Sequence, residues 1–280
     1  MALPGDGATS LKPATGPGVE PAWEVVDSHA HLDSGRFQRD LDQVLERARA
    51  ARVTRIITIG ADISSSRRAV ALAAPDRGVF AAVGIHPHDA RSCDERALDE
   101  LRRLARRPGV VAIGEIGLDY YRDLSPRPEQ RQALREQLRL AVELKLPVVI
   151  HDRQGHQDVM DILDGELGTP PPVTVVMHCF SGGPELARTC LERGYYISLA
   201  GPVTYAGATA PREVARIVPA GRLLVETDCP YLTPEPNRNR RNEPALVVEV
   251  ARCIAGARGV DLAAVAASTT AAARAAFNLP

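Results

Sequence analysis

The chain has 280 residues, a length that suits either one barrel-sized unit or two modest domains. Hydrophobic residues make up 45% and charged residues 25%, enough for a sizeable core. The net charge of −1 excludes a uniformly basic, histone-like binder, so any contact with nucleic acid must come from a local patch.

Residues 1–22, rich in Gly, Pro and Ala and without an apolar segment of signal-peptide type, are expected to be a disordered tail. Residues 23–280 are expected to form a single domain. Short β-branched runs then alternate with runs of helical period. The first expected strand is Glu24–Ala30, followed by a helix over 37–51 and a second strand over 54–60. A third strand spans 79–86, a helix 95–107, a fourth strand 110–117, a long helix 128–145 and a fifth strand 147–152. A sixth strand over 173–179, a helix over 184–194, a seventh strand over 195–200 and an eighth over 223–228 complete the series. A Pro- and Arg-rich loop and two further helices between Ala245 and Asn278 close the chain.

Eight strand–helix units imply a closed parallel TIM (β/α)8 barrel with extra C-terminal helices, an α/β fold; a doubly wound sheet is the competing topology. Five cysteines without a CxxC pair read as free thiols of a cytoplasmic protein. No run is long and apolar enough for a membrane span. Only Lys12 and Lys145 occur, neither at a strand end, which removes Schiff-base and carbamoyl-lysine chemistry.

The polar residues fall where such a barrel keeps its active site. His29 and His31 close the first strand, His86 the third, His151 the fifth and His178 the sixth; Glu115 is late in the fourth, and Glu226 and Asp228 end the eighth. In a (β/α)8 barrel all carboxyl ends of the strands gather at one face. Side chains two apart in a strand point to one side, so His29 and His31 can share a centre. Four histidines and two carboxylates exceed what one ion takes, whereas two divalent cations roughly 3.5–4 Å apart would use them all. The expected division gives His29, His31 and Asp228 to one ion and His151 and His178 to the other, with Glu115 bridging. A water between two such cations loses its proton near neutral pH and can attack an ester. Zn, Mn, Mg, Ni and Co all suit the donors to differing degrees. Asp27 and Asp33 read as supporting residues, Cys179 as a packed thiol, Ser181 as a turn residue, and Asp152, His156 and Asp158 as solvent-facing.

The ordered stretches "DSHAHLD", "VGIHPH", "GEIGLDYYRD", "LPVVIHDR", "HCFSGG", "ETDCPYL" and "RNEP" closely resemble the TatD family of metal-dependent hydrolases, from about Val25 to Asn278. The resemblance implies a TIM barrel with a two-metal site and cytoplasmic deoxyribonuclease activity. Position by position it implies His29, His31, Glu115, His151, His178 and Asp228 as metal ligands. It further implies His86 as a residue touching the substrate phosphate. Family members often have a glycine where this chain has Asn239, a residue that tolerates left-handed backbone.

The expected function is therefore hydrolysis of DNA phosphodiesters from an exposed, single-stranded or 3′ end. Glu115, Asp228 and His86 are its catalytic residues, with Asp228 relaying a proton. His86 and Arg153 would hold phosphate oxygens, and Arg241, with Arg238 and Arg240, would form a local basic patch. Tyr120 and Tyr121 are candidate stacking platforms for bases. The alternative is an ester hydrolase on the same metals, including deacylation of D-aminoacyl-tRNA.

Overall fold

The computed structural model describes residues 23–280, and the expected tail over 1–22 lies outside them. Eight parallel strands are hydrogen-bonded in chain order: β1 (Val25–Ala30), β2 (Val53–Ile59), β3 (Val79–Val83), β4 (Val110–Asp119), β5 (Val148–Arg153), β6 (Val175–Met177), β7 (Tyr196–Leu199) and β8 (Leu223–Val225). The ring closes just beyond β8, where Asp228 N donates to His29 O (2.9 Å) and His31 N to Cys229 O (2.7 Å). This is the TIM barrel expected from the alternation, and it rules out the doubly wound sheet.

The helices are α1 (Leu41–Ala50), α2 (Ile63–Leu72), α3 (Glu95–Ala105), α4 (Arg127–Leu144), α5 (His156–Leu167), α6 (Pro184–Glu192), α7 (Thr209–Ile217), α8 (Val247–Arg258) and α9 (Leu262–Phe277). α1 starts four residues later than expected, because Ser34–Asp40 forms turns that bury Phe37. None of the described helices is long and apolar enough to cross a membrane.

Two apolar clusters fill the molecule. The larger lies between the strands and the surrounding helices. The smaller comprises Val26, Ile57, Ile59, Phe80, Ala82, Ala112, Val149, Val176, Tyr196 and Leu224, and it is continued by Ala272, Ala273, Ala276 and Phe277 of α9. These strand residues fill the barrel interior, and the alanine-rich face of α9 packs close against them because small side chains allow close approach.

Strand periodicity then carries the interior parity up to the polar end. Val149 is followed two residues later by His151, Val176 by His178, and Leu224 by Glu226. In β1 and β4 the register slips between Asp27 and Ala30 and between Ile113 and Ile116. Without the second slip Glu115 would share the outward side of Ile113; with it, Ile116 and Leu118 face outward and Glu115 turns in.

Gly117 pairs with His151 across β4 and β5, at φ +150, and a Cβ there would lie 1.9 Å from His151 O. Gly117→Ala is expected to cost about 2–3 kcal/mol, typical of overpacking at a rigid site. The check is the urea midpoint, which should fall; an unchanged midpoint would show that the strand can move aside.

Candidate metal centre

Every metal-ligand candidate named from the sequence lies at one end of the barrel. His29, Glu115 and His178 are buried, while His31, His151 and Asp228 are partly exposed. Two donor groups meet at the forked carboxylate of Glu115. Its Oε2 lies 3.4 Å from His29 Nε2 and 3.9 Å from His31 Nε2. Its Oε1 lies 2.6 Å from His151 Nδ1, 3.2 Å from His178 Nε2 and 3.5 Å from His86 Nε2. Asp228 Oδ1 completes the first group, 3.3 Å from His31 Nε2 and 3.7 Å from His29 Nε2.

These separations test the fit of a cation. His29 Nε2 and His31 Nε2 face each other at 3.3 Å. Two donors each about 2.0–2.1 Å from one tetrahedral ion lie roughly 3.3 Å apart. His31 Nδ1 is 3.2 Å from Ile59 O, and donation there leaves the Nε2 lone pair free toward the group. Buried polar atoms without hydrogen-bond partners cluster here too: His29 Nδ1, His178 Nδ1 and Glu226 Oε2. Such atoms are costly unless something else engages them. The residues fit divalent cations, and three triplets are compact enough to hold one: His29–His31–Asp228, His86–Glu115–His151 and His29–His178–Glu226.

The electrostatics agree with a site built for positive charge. Burial works against the charge of Glu115, but His178, His86 and His151 hold its carboxyl well below the usual range. Burial lowers His29, with His178 adding to the effect, so its imidazole is neutral at pH 7 and able to donate a lone pair. Burial also pushes His86 down to about 4, and because its Nδ1 accepts from His88 N, its Nε2 carries the proton. For His151 burial acts the same way, but Asp119 and Glu115 on its two nitrogens more than reverse it, to about 9.

Behind the donors stand carboxylates that orient them. Glu226 Oε1 accepts from Cys179 N at 2.7 Å and lies 2.8 Å from His178 Nδ1, close enough for charge pairing but not aligned as a hydrogen bond. Asp119 Oδ2 lies 3.2 Å from His151 Nε2 and 2.9 Å from His88 Nε2, while its Oδ1 accepts from Tyr121 N and Arg122 N. Asp27 accepts from Thr227 Oγ1 at 2.6 Å and from Thr227 N at 2.9 Å, tying β1 to the end of β8. Burial pushes its carboxyl up to about 8.

Residues 26–278 match the model of the family described as TatD related DNase. The chain belongs to that family. It is 42% identical over 255 residues to the uncharacterized metal-dependent hydrolase YabD of Bacillus subtilis, covering 91% of this chain and 99% of that one. It is 39% identical over 252 residues to the 3′-5′ ssDNA/RNA exonuclease TatD of Cronobacter sakazakii, covering 88% and 95%. Among solved structures, the TatD homologue YJJV of Escherichia coli superposes with a TM-score of 0.85 at 31% identity, over 91% of this chain and 98% of that one. As a TatD-family protein the chain is a metal-dependent hydrolase of ester bonds.

The TatD centre opens into a cavity of about 780 Å³. Arg153 lines it, with its guanidinium 3.9 Å above the exposed ring of Tyr121. Arg241 does not. It forms a two-pronged pair with Asp40 (2.6 and 2.9 Å) and covers Phe37, so its charge is already neutralised and its expected place in a substrate-facing patch is corrected. Tyr120 is also committed elsewhere, its hydroxyl donating to Asp158 and accepting from Arg131, and so is Asp158, expected in solvent but paired with Arg131. Asn239 is not in the left-handed region.

Sequence reasoning missed Asp119, Arg68, Arg122 and Tyr231, all of which face the cavity or its donors. The "GLDYYRD" and "ETDCPYL" stretches contain three of them but carry no spacing that marks a cavity wall. Glu226 was noted at a strand end, yet its closeness to His178 could not be read there.

Proposed function

We propose that this protein is a two-metal phosphodiesterase that removes nucleotides from single-stranded ends of nucleic acid in the cytoplasm. The observation that carries the reading is the fork of Glu115, one oxygen with His29 and His31 and the other with His151, His178 and His86. His29, His31 and Asp228 would hold one ion, His151 and His178 the other, with Glu115 shared. Bound there, divalent cations of the Zn, Mn, Mg, Ni or Co kind would supply water activation and neutralisation of charge at phosphorus.

The chain's own groups do the rest. His86 donates to a nonbridging phosphate oxygen, Arg153 holds another, and Asp228 takes up the proton from the attacking water. Depth favours an end over a duplex interior, since Glu115, which lines the cavity, is only 3% exposed. The exonuclease names of relatives such as that of Cronobacter sakazakii supply the 3′-5′ polarity and the single-stranded substrate. The five free cysteines fit a reducing compartment.

The test is a metal screen on 5′-labelled single-stranded DNA, in parallel with D-aminoacyl-tRNA. A ladder shortening from the 3′ end, abolished by chelation, is expected. Deacylation of the tRNA with no phosphodiester cleavage under any metal would overturn the reading.

A further inference from the structure

The cavity mouth continues onto a surface that the catalytic reading leaves unused. The loops after β1 and β8 are neighbours, joined where Arg241 Nη1 donates to Arg36 O and where the barrel closes. Each contributes to the cavity wall, Ser34 from the first and Tyr231 and Leu232 from the second. Each then runs outward into exposed arginines: Arg36 and Arg39 on one, Arg238 and Arg240 on the other.

Arginines elsewhere on the surface are widely paired, as with Arg47 on Glu243, Arg102 on Glu143 and Arg139 on Glu166. These four have no carboxylate partner among the described residues. Arg238 instead lies 3.7 Å over the ring of Tyr205, which holds its position on the surface. Of the acids on the two loops beyond Glu226 and Asp228 of the metal centre, Asp40 and Glu243 are taken by Arg241 and Arg47 and Asp33 by Arg68, which leaves Glu235. The patch is therefore strongly positive on a chain of net charge −1. At the boundary between cavity and patch stands Tyr231, 53% exposed, with its ring centroid 5.9 Å from that of His31. An exposed ring beside a donor histidine suits a base that is not paired or stacked in a duplex.

We infer that the β1 and β8 loops form a track for the part of a single-stranded polynucleotide that lies outside the cavity. Tyr231 stacks on a base at the mouth, and Arg36, Arg39, Arg238 and Arg240 take successive phosphates. The inference rests on the phosphodiesterase reading and adds where the uncleaved strand lies. It follows that the enzyme grips long strands more tightly than short ones, in a salt-dependent way, through arginines that touch nothing at the metal centre.

The test uses the metal-loaded enzyme and the triple variant Arg36→Ala/Arg39→Ala/Arg240→Ala. KM is measured on a 15-nucleotide single strand between 50 and 200 mM salt, and on thymidine 5′-p-nitrophenyl phosphate, which cannot reach the patch. Each phosphate contact to a single strand contributes about 0.7 to the slope of log affinity against log salt, so losing three should flatten it by about 2. KM for the 15-mer should rise at least tenfold at the lowest salt, with kcat and the small-substrate kinetics unchanged. An unchanged salt slope overturns the track and leaves the phosphodiesterase reading standing. A parent enzyme that cleaves neither substrate overturns both.

Discussion

The Glu115→Ala protein is expected to purify depleted of both ions and to show no measurable hydrolysis. One carboxylate oxygen stands 3.4 Å from His29 Nε2 and the other 2.6 Å from His151 Nδ1, so truncation removes a donor from each group at once. It also removes the negative charge that makes a nest of buried imidazoles tolerable to a cation. With Glu115 gone, His29, His86, His151 and His178 crowd together without the carboxylate at their centre. A bound cation would add further repulsion to any imidazole that stays protonated. Elemental analysis and circular dichroism on the same preparation decide the matter. Full occupancy of two ions in a folded Glu115→Ala protein would end the bridging assignment.

Asp228→Asn separates metal binding from turnover. Asp228 is at φ +55, a left-handed conformation that asparagine accepts at least as well as aspartate, so the backbone that closes the barrel through Asp228 N and His29 O should survive. The amide keeps the shape but loses both the charge that completes the His29 and His31 group and the capacity to accept a proton. The variant should retain at least the ion of the His151 and His178 group. Its kcat should fall by about 10²–10⁴, the usual contribution of a positioned general base. Near-parental kcat with both ions bound would mean that the proton leaves by another route. Simultaneous loss of both ions would mean that Asp228 supports the whole cluster rather than one half of it.

The two variants differ in what they report because of how their oxygens are placed. Glu115 contacts five histidines, whereas Asp228 contacts only His29 and His31. That contrast was only partly readable from residue order. The fourth strand lies midway among the donor-bearing strands, which suggests a shared ligand, but nothing in "AIGEIG" says that its carboxylate turns inward.

Much of the molecule is nonetheless written in local pattern. Eight β-branched runs alternating with amphipathic ones specify a parallel barrel, because strand and helix periods are properties of neighbouring residues. Placing histidines and acids just after those runs specifies the face on which they meet, because a barrel collects all its strand ends on one side. Helix boundaries were less legible: α1 was expected from residue 37 and begins at Leu41, since residues 34–40 are held in turns that bury Phe37 beneath Arg241, far away in the chain.

What only the tertiary structure decided are the register and the pairing. The slips in β1 and β4 that turn His29 and Glu115 toward the centre depend on how each strand is gripped by its neighbours. The neutralisation of Arg241 by Asp40, the contact of Glu226 with His178 and the joining of His88 and His151 by Asp119 all unite residues far apart in sequence. Side-chain type states what a residue can do. Whether its charge reaches a substrate depends on which partner the fold brings within a few ångströms, because desolvation and Coulomb energies change steeply over that distance.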